Sequence, residues 1–114
     1  MMEFIQYQQA AERTARRTEK DTDRERYANF GMGLSGEAGE VANYLKKVVF
    51  HGHELDKGKL AEELGDCLWY LATIATTAGI SLGDVAKMNA TKLMARYPEG
   101  FSEDRSRNRE GATP

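Results

Sequence analysis

Four carboxylates in two short motifs are the residues of this chain best suited to chemistry. Residues 33–47, GLSGEAGEVANYLKK, contain Glu37 and Glu40, and residues 60–71, LAEELGDCLWYL, contain Glu63 and Asp66. Both segments have the apolar spacing of amphipathic helices, so the two acids of each pair lie about one turn apart on neighbouring positions of a helix surface. Each pair can therefore act as one half of a cation site.

The helical phase of the first motif places Glu37 on the apolar side of its helix. With each residue turning the helix by about 100°, the side chains within about 60° of Glu37 are Phe30, Leu34, Val41, Tyr44 and Val48. Glu40 lies about 60° to the other side, at the edge of this stripe. A carboxylate in an apolar stripe is costly unless it is paired or binds a cation. The alternative is an ordinary surface acid, the interpretation that we keep for Glu54 and Glu62.

The second motif places Glu63 and Asp66 beside an apolar stripe, followed along the helix by Tyr70 and Thr73. The stripe consists of Leu60, Leu64, Cys67, Leu68, Leu71, Ile74 and Ala78. Packing the two helices side by side brings four carboxylates together, and they must then repel one another or take up protons. A divalent cation removes this conflict, and an all-oxygen ligand set favours Mg²⁺ or Mn²⁺ over zinc. Because Mg²⁺ commonly bridges to phosphates, the pattern predicts a phosphate-bearing ligand.

A third group of polar residues lies nearer the carboxyl end. Asn89, Lys92 and Arg96 fall within about 60° of one another on a predicted helix. An amide and two cations in one stripe suit phosphate oxygens. The alternative is a solvated helix end on which cations are favoured by the helix dipole.

Four helices are predicted to position these groups, at residues 2–17, 27–50, 57–78 and 82–97. The charged segment 18–26 is predicted to be a surface loop, and residues 51–59 a turn in which Asp56 caps the third helix. Gly79 ends the third helix and Pro98 the fourth. No segment alternates at period two, so we predict an all-α four-helix bundle. Residues 102–114 are predicted to be disordered.

Composition limits the remaining possibilities. A chain of 114 residues is long enough for one domain, which we place at residues 1–101. A formal charge of −2 gives no reason to expect binding to a nucleic-acid polymer or an acidic membrane. The single cysteine, Cys67, is predicted to be a buried free thiol in a reducing compartment. With no signal peptide or membrane span in the pattern, we expect a soluble cytoplasmic protein.

The motifs together resemble one known family. GLSGEAGEVANYLKK, AEELGDCLWYLATIA and NATKLMARYPEGF resemble the MazG-like all-α nucleoside triphosphate pyrophosphohydrolases over residues 27–101. The superfamily signature is ExxE, a spacer and ExxD, represented here by Glu37 and Glu40, 22 intervening residues, then Glu63 and Asp66. A bare ExxE is weak evidence, whereas the flanking GEAGE, the tyrosine at position 70 and the segment NATKLMARYP make the resemblance specific.

The resemblance implies a ligand set and a reaction. It implies that the four acids Glu37, Glu40, Glu63 and Asp66 hold Mg²⁺ and catalyse hydrolysis of a nucleoside triphosphate between its α and β phosphates. It further implies that substrate contacts come from Asn29, Lys47, Tyr70, Asn89, Lys92 and Arg96. Lys47 and Arg96 are the weaker of these assignments. Glu37 or Glu40 is the expected acceptor of the proton of the attacking water.

Two other functions and one assembly state complete the sequence-based predictions. A phosphoribosyl-ATP pyrophosphohydrolase ranks lower, because the chain lacks an obvious extra basic element for a larger phosphorylated substrate. A non-catalytic helical interaction module stabilised by a metal is the alternative from a different class. We expect a homo-oligomer, with a tetramer favoured over a dimer, in which Trp69 on the outer side of the third helix is buried against another copy.

Overall fold

The computed structural model describes residues 1–15 and 21–108, and these residues form helices. The helices are α1 (Phe4–Thr14), α2 (Asp23–Phe50), α3 (Lys57–Ala78), α4 (Leu82–Arg96) and α5 (Glu103–Arg107). Within these two stretches the only extended pairing described is an isolated bridge between Pro98 and Gly100. The predicted all-α class is confirmed, with five helices in place of the four that were predicted.

The chain divides into two compact units, Met1–Leu82 and Gly83–Pro114. In the first unit, α2 packs along α3 and α1 packs on α3. The pairing of α2 with α3 is antiparallel, because Arg26 near the start of α2 contacts Thr77 near the end of α3, whereas Tyr44 contacts Asp56 before α3 begins. The second unit contains nearly all of α4, together with α5.

The start of α2 differs from the prediction. The helix begins at Asp23, where a loop extending to Arg26 was predicted. Thr22 is its N-cap, and the Thr22 hydroxyl accepts a hydrogen bond from the Glu25 backbone N–H at 3.1 Å. Thr22 and Glu25 form the S/T-x-x-E pattern that marks a helix start, with acids in the first turn favoured by the dipole. The loop prediction was therefore wrong for residues 23–26, because the Thr22 cap starts a helix within this charged segment.

The other helix ends lie close to the predicted positions. Asp56 caps α3 by accepting from the backbone N–H groups of Gly58 at 3.0 Å and Lys59 at 3.2 Å. Gly79 ends α3 with φ of 74°, in the left-handed region that favours glycine. The helix α5 lies within the segment for which disorder was predicted. Its cap is Ser102, which accepts from the Arg105 N–H, and residues 109–114 lie outside the described part of the chain.

The core of the first unit is small and lies where α1 meets α3. Ala11, Ala72 and Leu82 are buried there, and Tyr7, Leu68 and Trp69 pack against them. The expected outward position of Trp69 was wrong. Its indole N–H donates to the Thr14 hydroxyl at 2.7 Å, and its ring meets that of Phe30 edge to face at 5.7 Å. The amino-terminal helix covers this tryptophan within the same chain.

None of the described helices is long and apolar enough to cross a membrane. Several large apolar side chains are nevertheless exposed on α2, and Val49 and Phe50 retain 69% and 77% of their accessible surface. On α4, Met88 and Met94 are similarly exposed. The cytoplasmic location and the oligomeric state remain predictions.

Candidate functional site

Three of the four signature acids meet between α2 and α3. One carboxylate oxygen from each of Glu37, Glu63 and Asp66 lies within 4.8 Å of the others. Glu37 and Glu63 are half-buried, whereas Asp66 is exposed. The helical phase that put Glu37 on the apolar side of α2 therefore agrees with its position against α3. We call these three residues the acidic cluster.

Like charges in the acidic cluster change the acidity of its members. Burial raises the pKa of Glu37 above its ordinary value, and the charges of Glu40, Asp66 and Glu63 raise it further. Burial and the neighbouring acids raise the pKa of Glu63 in the same way, with Lys59 acting in the opposite direction. The cluster therefore has a higher affinity for positive charge than isolated surface acids.

Two oxygens of the acidic cluster are buried without a hydrogen-bond partner. Among the described residues these are Oε2 of Glu37 and Oε2 of Glu63. Buried carboxylate oxygens are normally hydrogen-bonded or bound to a cation. Hard oxygen donors in this number and spacing fit Mg²⁺ or Mn²⁺.

Glu40 and Lys47 lie to one side of the acidic cluster, around a pocket of about 270 Å³. The lining residues are Glu40, Asn43, Tyr44, Lys47, Lys59 and Glu63. Lys59 was not singled out from the sequence, although it lies four residues before Glu63 and hence on the same side of α3. The Lys59 ammonium lies 5.1 Å from the centroid of the Tyr44 ring. This pocket offers two cations and an amide beside the carboxylates, a combination suited to phosphate oxygens.

Tyr70 lies on the backbone of α2 one turn before Glu37. A Cβ atom at Gly33 would overlap the Tyr70 ring, so glycine is required for this approach. Gly33 is the only one of the four glycines of α2 that meets another side chain in this way, because Gly31, Gly36 and Gly39 have open space where a Cβ would lie.

Asn29 lies near the start of α2, away from the acidic cluster. Its distance from Glu37 along the helix is about 12 Å for eight residues. Asn29 lines a second pocket, of about 450 Å³, which we call the Arg26 pocket. The residues around it are Thr14, Ala15, Asp21, Glu25, Arg26, Asn29, Phe30 and Trp69. Arg26 was not predicted as a pocket residue, because it fell in the predicted loop. It lies eleven residues before Glu37 on α2 and so has nearly the same helical phase as Glu37.

The three predicted ligands on α4 belong to the second unit. Asn89 is exposed there, whereas Lys92 and Arg96 are half-buried. Their helical phase is retained because α4 runs without interruption from Leu82 to Arg96. Their contact with phosphate stays a prediction.

Cys67 is a half-buried free thiol on α3, next to Asp66. Burial raises the pKa of this thiol, and the charges of the acidic cluster and Glu40 raise it further. A thiolate is the nucleophilic form of cysteine, so this environment disfavours nucleophilic catalysis by Cys67.

Comparison with known proteins identifies the family. A model of the MazG nucleotide pyrophosphohydrolase domain matches residues 26–101, two thirds of the chain and both helices of the acidic cluster. The chain belongs to the MazG family. This chain is similar to the Gene 37 protein of Mycobacterium phage L5. The two are 37% identical over 82 residues, which cover 68% of this chain and 72% of the phage protein. No solved structure matches the chain.

Proposed function

We propose that this MazG-family protein is a Mg²⁺-dependent hydrolase that cleaves a ribo- or deoxyribonucleoside triphosphate between the α and β phosphates. The products are a nucleoside monophosphate and pyrophosphate. The observation that carries this proposal is the acidic cluster, in which three carboxylate oxygens converge within 4.8 Å and two glutamate oxygens are buried without a partner. Family membership supports a nucleotide as the substrate.

The residues that would hold the cation are Glu37, Glu63 and Asp66, with Glu40 beside them. When bound, Mg²⁺ supplies positive charge to the developing phosphoryl oxygens and lowers the pKa of a bound water. Mn²⁺ has similar preferences and is expected to substitute. The carboxylates orient the attacking water, and Glu37 or Glu40 accepts its proton.

The rest of the triphosphate requires cationic partners. Lys47 and Lys59 border the pocket beside Glu40, so we assign them to the leaving pyrophosphate. The resemblance adds Asn89, Lys92 and Arg96 of α4 as phosphate or sugar ligands. Tyr70, which lies over Gly33 near the acids, is assigned to the sugar. Asn29 is assigned to the nucleoside end because it lines the Arg26 pocket.

We also propose a homo-oligomer, with a tetramer favoured over a dimer. The exposed apolar residues of α2, including Met32, Val49 and Phe50, support a buried contact between copies. Trp69 packs against α1 within the same chain and does not support a contact between copies. Sedimentation equilibrium distinguishes a tetramer from a dimer and a monomer. A monomer at micromolar concentration would contradict the proposed homo-oligomer, and a dimer would contradict the preference for a tetramer.

The reaction is tested by incubating the protein with each ribo- and deoxyribonucleoside triphosphate and separating the products. With Mg²⁺ we expect monophosphate and pyrophosphate in equal amounts, and with EDTA neither. Release of diphosphate and inorganic phosphate would contradict the proposed bond. Absence of hydrolysis of every nucleotide, while an EDTA-sensitive melting temperature persists, would favour the non-catalytic metal-stabilised module.

A further inference from the structure

The pocket of about 270 Å³ beside Glu40 adjoins the acidic cluster directly. Glu63 belongs to the lining of this pocket and to the acidic cluster, so the two share a wall. We call it the Lys59 pocket. Lys59 is exposed, so a ligand can reach its ammonium. An exposed lysine side chain is ordinarily free to adopt many rotamers. A contact that fixes the ammonium beside the acids therefore matters for binding.

The Lys59 ammonium is held against the ring of Tyr44. Its Nζ atom lies 5.1 Å from the centroid of that ring, which is within the range of a cation–π contact. Lys59 also lies four residues before Glu63, so both side chains lie on the same side of α3. Among the described residues, the ammonium forms no ion pair with Glu40 or Glu63. Its N–H donors are therefore available to a ligand.

Tyr44 is itself fixed at the hydroxyl end of its ring. It retains 8% of its accessible surface, and its hydroxyl accepts a hydrogen bond from the Asp56 N–H at 2.8 Å. The Asp56 carboxylate in turn accepts from the Lys59 N–H at 3.2 Å, where it caps α3. The ring of Tyr44 thus contacts the ammonium of Lys59, and its hydroxyl is linked through Asp56 to the Lys59 backbone. One buried side chain positions both ends of the lysine.

The Lys59 pocket has the chemistry of a subsite for phosphate groups. Lys47 and Lys59 supply two cations, and Asn43 supplies an amide that can donate. Phosphate oxygens accept strong, charge-assisted hydrogen bonds from such groups. Ordering a flexible side chain on binding lowers affinity. A lysine that is already fixed before the ligand arrives avoids this loss.

We propose that Tyr44 is a positioning residue, which fixes the Lys59 ammonium so that it donates to the terminal phosphates of the substrate. This inference rests on the proposed function for the identity of that substrate, and it adds a residue that touches neither the metal nor the phosphates. Tyr44 should therefore affect ligands that carry the terminal phosphates, such as inorganic pyrophosphate, and leave a nucleoside monophosphate unaffected. A purely structural role would affect both kinds of ligand alike.

A double-mutant cycle on pyrophosphate binding, measured by calorimetry with Mg²⁺ in excess, provides the test without hydrolysis. Lys59→Met should weaken pyrophosphate binding by roughly tenfold or more, because a charge-assisted hydrogen bond is lost. Tyr44→Leu should weaken it by roughly two- to tenfold, the cost of ordering one lysine on binding. In the Lys59→Met background, Tyr44→Leu should change the affinity by less than about twofold. Lys57→Met removes the charge of an exposed neighbour and should have no effect.

Tyr44→Phe separates positioning from stability. It keeps the ring and removes the hydroxyl that binds Asp56, so it should lower the melting temperature yet retain more pyrophosphate affinity than Tyr44→Leu. Additive losses in the Tyr44 and Lys59 variants, or equal weakening of monophosphate binding by Tyr44→Leu, would overturn the proposal. If triphosphate hydrolysis persists in that case, the proposed function stands. Coupled pyrophosphate binding without hydrolysis of any triphosphate would support the positioning role and overturn the proposed function alone.

Discussion

The acidic cluster and the Arg26 pocket lie along the same pair of helices but bury side chains of opposite charge. In the acidic cluster, Glu37 and Glu63 carry raised pKa values because burial and neighbouring acids disfavour their ionised forms. In the Arg26 pocket, the buried guanidinium is contacted by Glu12, Thr77 and the Phe30 ring, while Nη1 has no hydrogen-bond partner among the described residues. Burial of a charged group is therefore offset by partners within the chain at Arg26, whereas in the acidic cluster it raises the affinity of the carboxylates for positive charge.

The largest effect should come from the acidic cluster. Glu63→Gln is expected to reduce triphosphate hydrolysis by roughly a hundredfold or more, the loss typical of a general base or an electrostatic stabiliser. In EDTA the same variant should melt at an equal or higher temperature than wild type, because one repelling charge is removed. Initial rates and thermal unfolding measure the two effects.

Glu62→Gln is the matched control for this comparison. It removes the same charge from the neighbouring, exposed position of α3. Its hydrolysis rate should stay close to that of wild type. Similar losses in both glutamine variants would mean that the general charge of α3, and not the geometry of the cluster, governs the reaction.

A smaller effect, on the free energy of unfolding, is expected for substitutions near Gly33, where the Tyr70 ring packs against α2. Gly33→Ala forces a Cβ into the Tyr70 ring, and overpacking of this kind costs about 1–3 kcal/mol. Gly36→Ala places a Cβ in open space and should stabilise the helix by about 0.5–1 kcal/mol. Urea unfolding of both variants gives these differences. If Gly33→Ala stabilised the protein, the close packing of the Tyr70 ring on Gly33 would be contradicted.

The pH dependence of stability should differ between wild type and the acidic-cluster variants. Because Glu37 and Glu63 have raised pKa values in the native state, that state binds more protons than the unfolded chain above the ordinary value of 4.5. In EDTA, stability contributed by these groups is therefore lost as pH rises from about 4.5 through the raised values. The double variant Glu37→Gln, Glu63→Gln should lose less stability over this range. If the free energies of unfolding of wild type and double variant, measured by chemical denaturation, fell in parallel with pH, the link between these two glutamates and stability would be contradicted.

Helix type and phase carry most of what the sequence predicts. The all-α class, the bounds of α3 and the position of Glu37 on the apolar side of α2 followed from apolar spacing and capping residues. The four acids of the signature were chosen by spacing, and three of them converge in the structure. Their catalytic role stays a prediction that the variants above test.

The features that were missed depend on tertiary contacts. Arg26 is a buried residue with a charged side chain, and sequence alone placed it in a solvated loop. Its burial depends on Glu12, Thr77 and Phe30, which lie on three different helices. Trp69 was expected to face outward, because its covering by α1 is a contact between residues 55 positions apart in the sequence. Local periodicity contains no information on either contact.

Cation binding tests the central claim most directly. Manganese binding to the wild-type protein, followed by electron paramagnetic resonance without nucleotide, should be saturable and competed by Mg²⁺. Glu63→Gln should weaken it by roughly tenfold or more, whereas Glu62→Gln should leave it unchanged. Equal manganese affinity in wild type and Glu63→Gln would contradict the claim that the acidic cluster holds the cation.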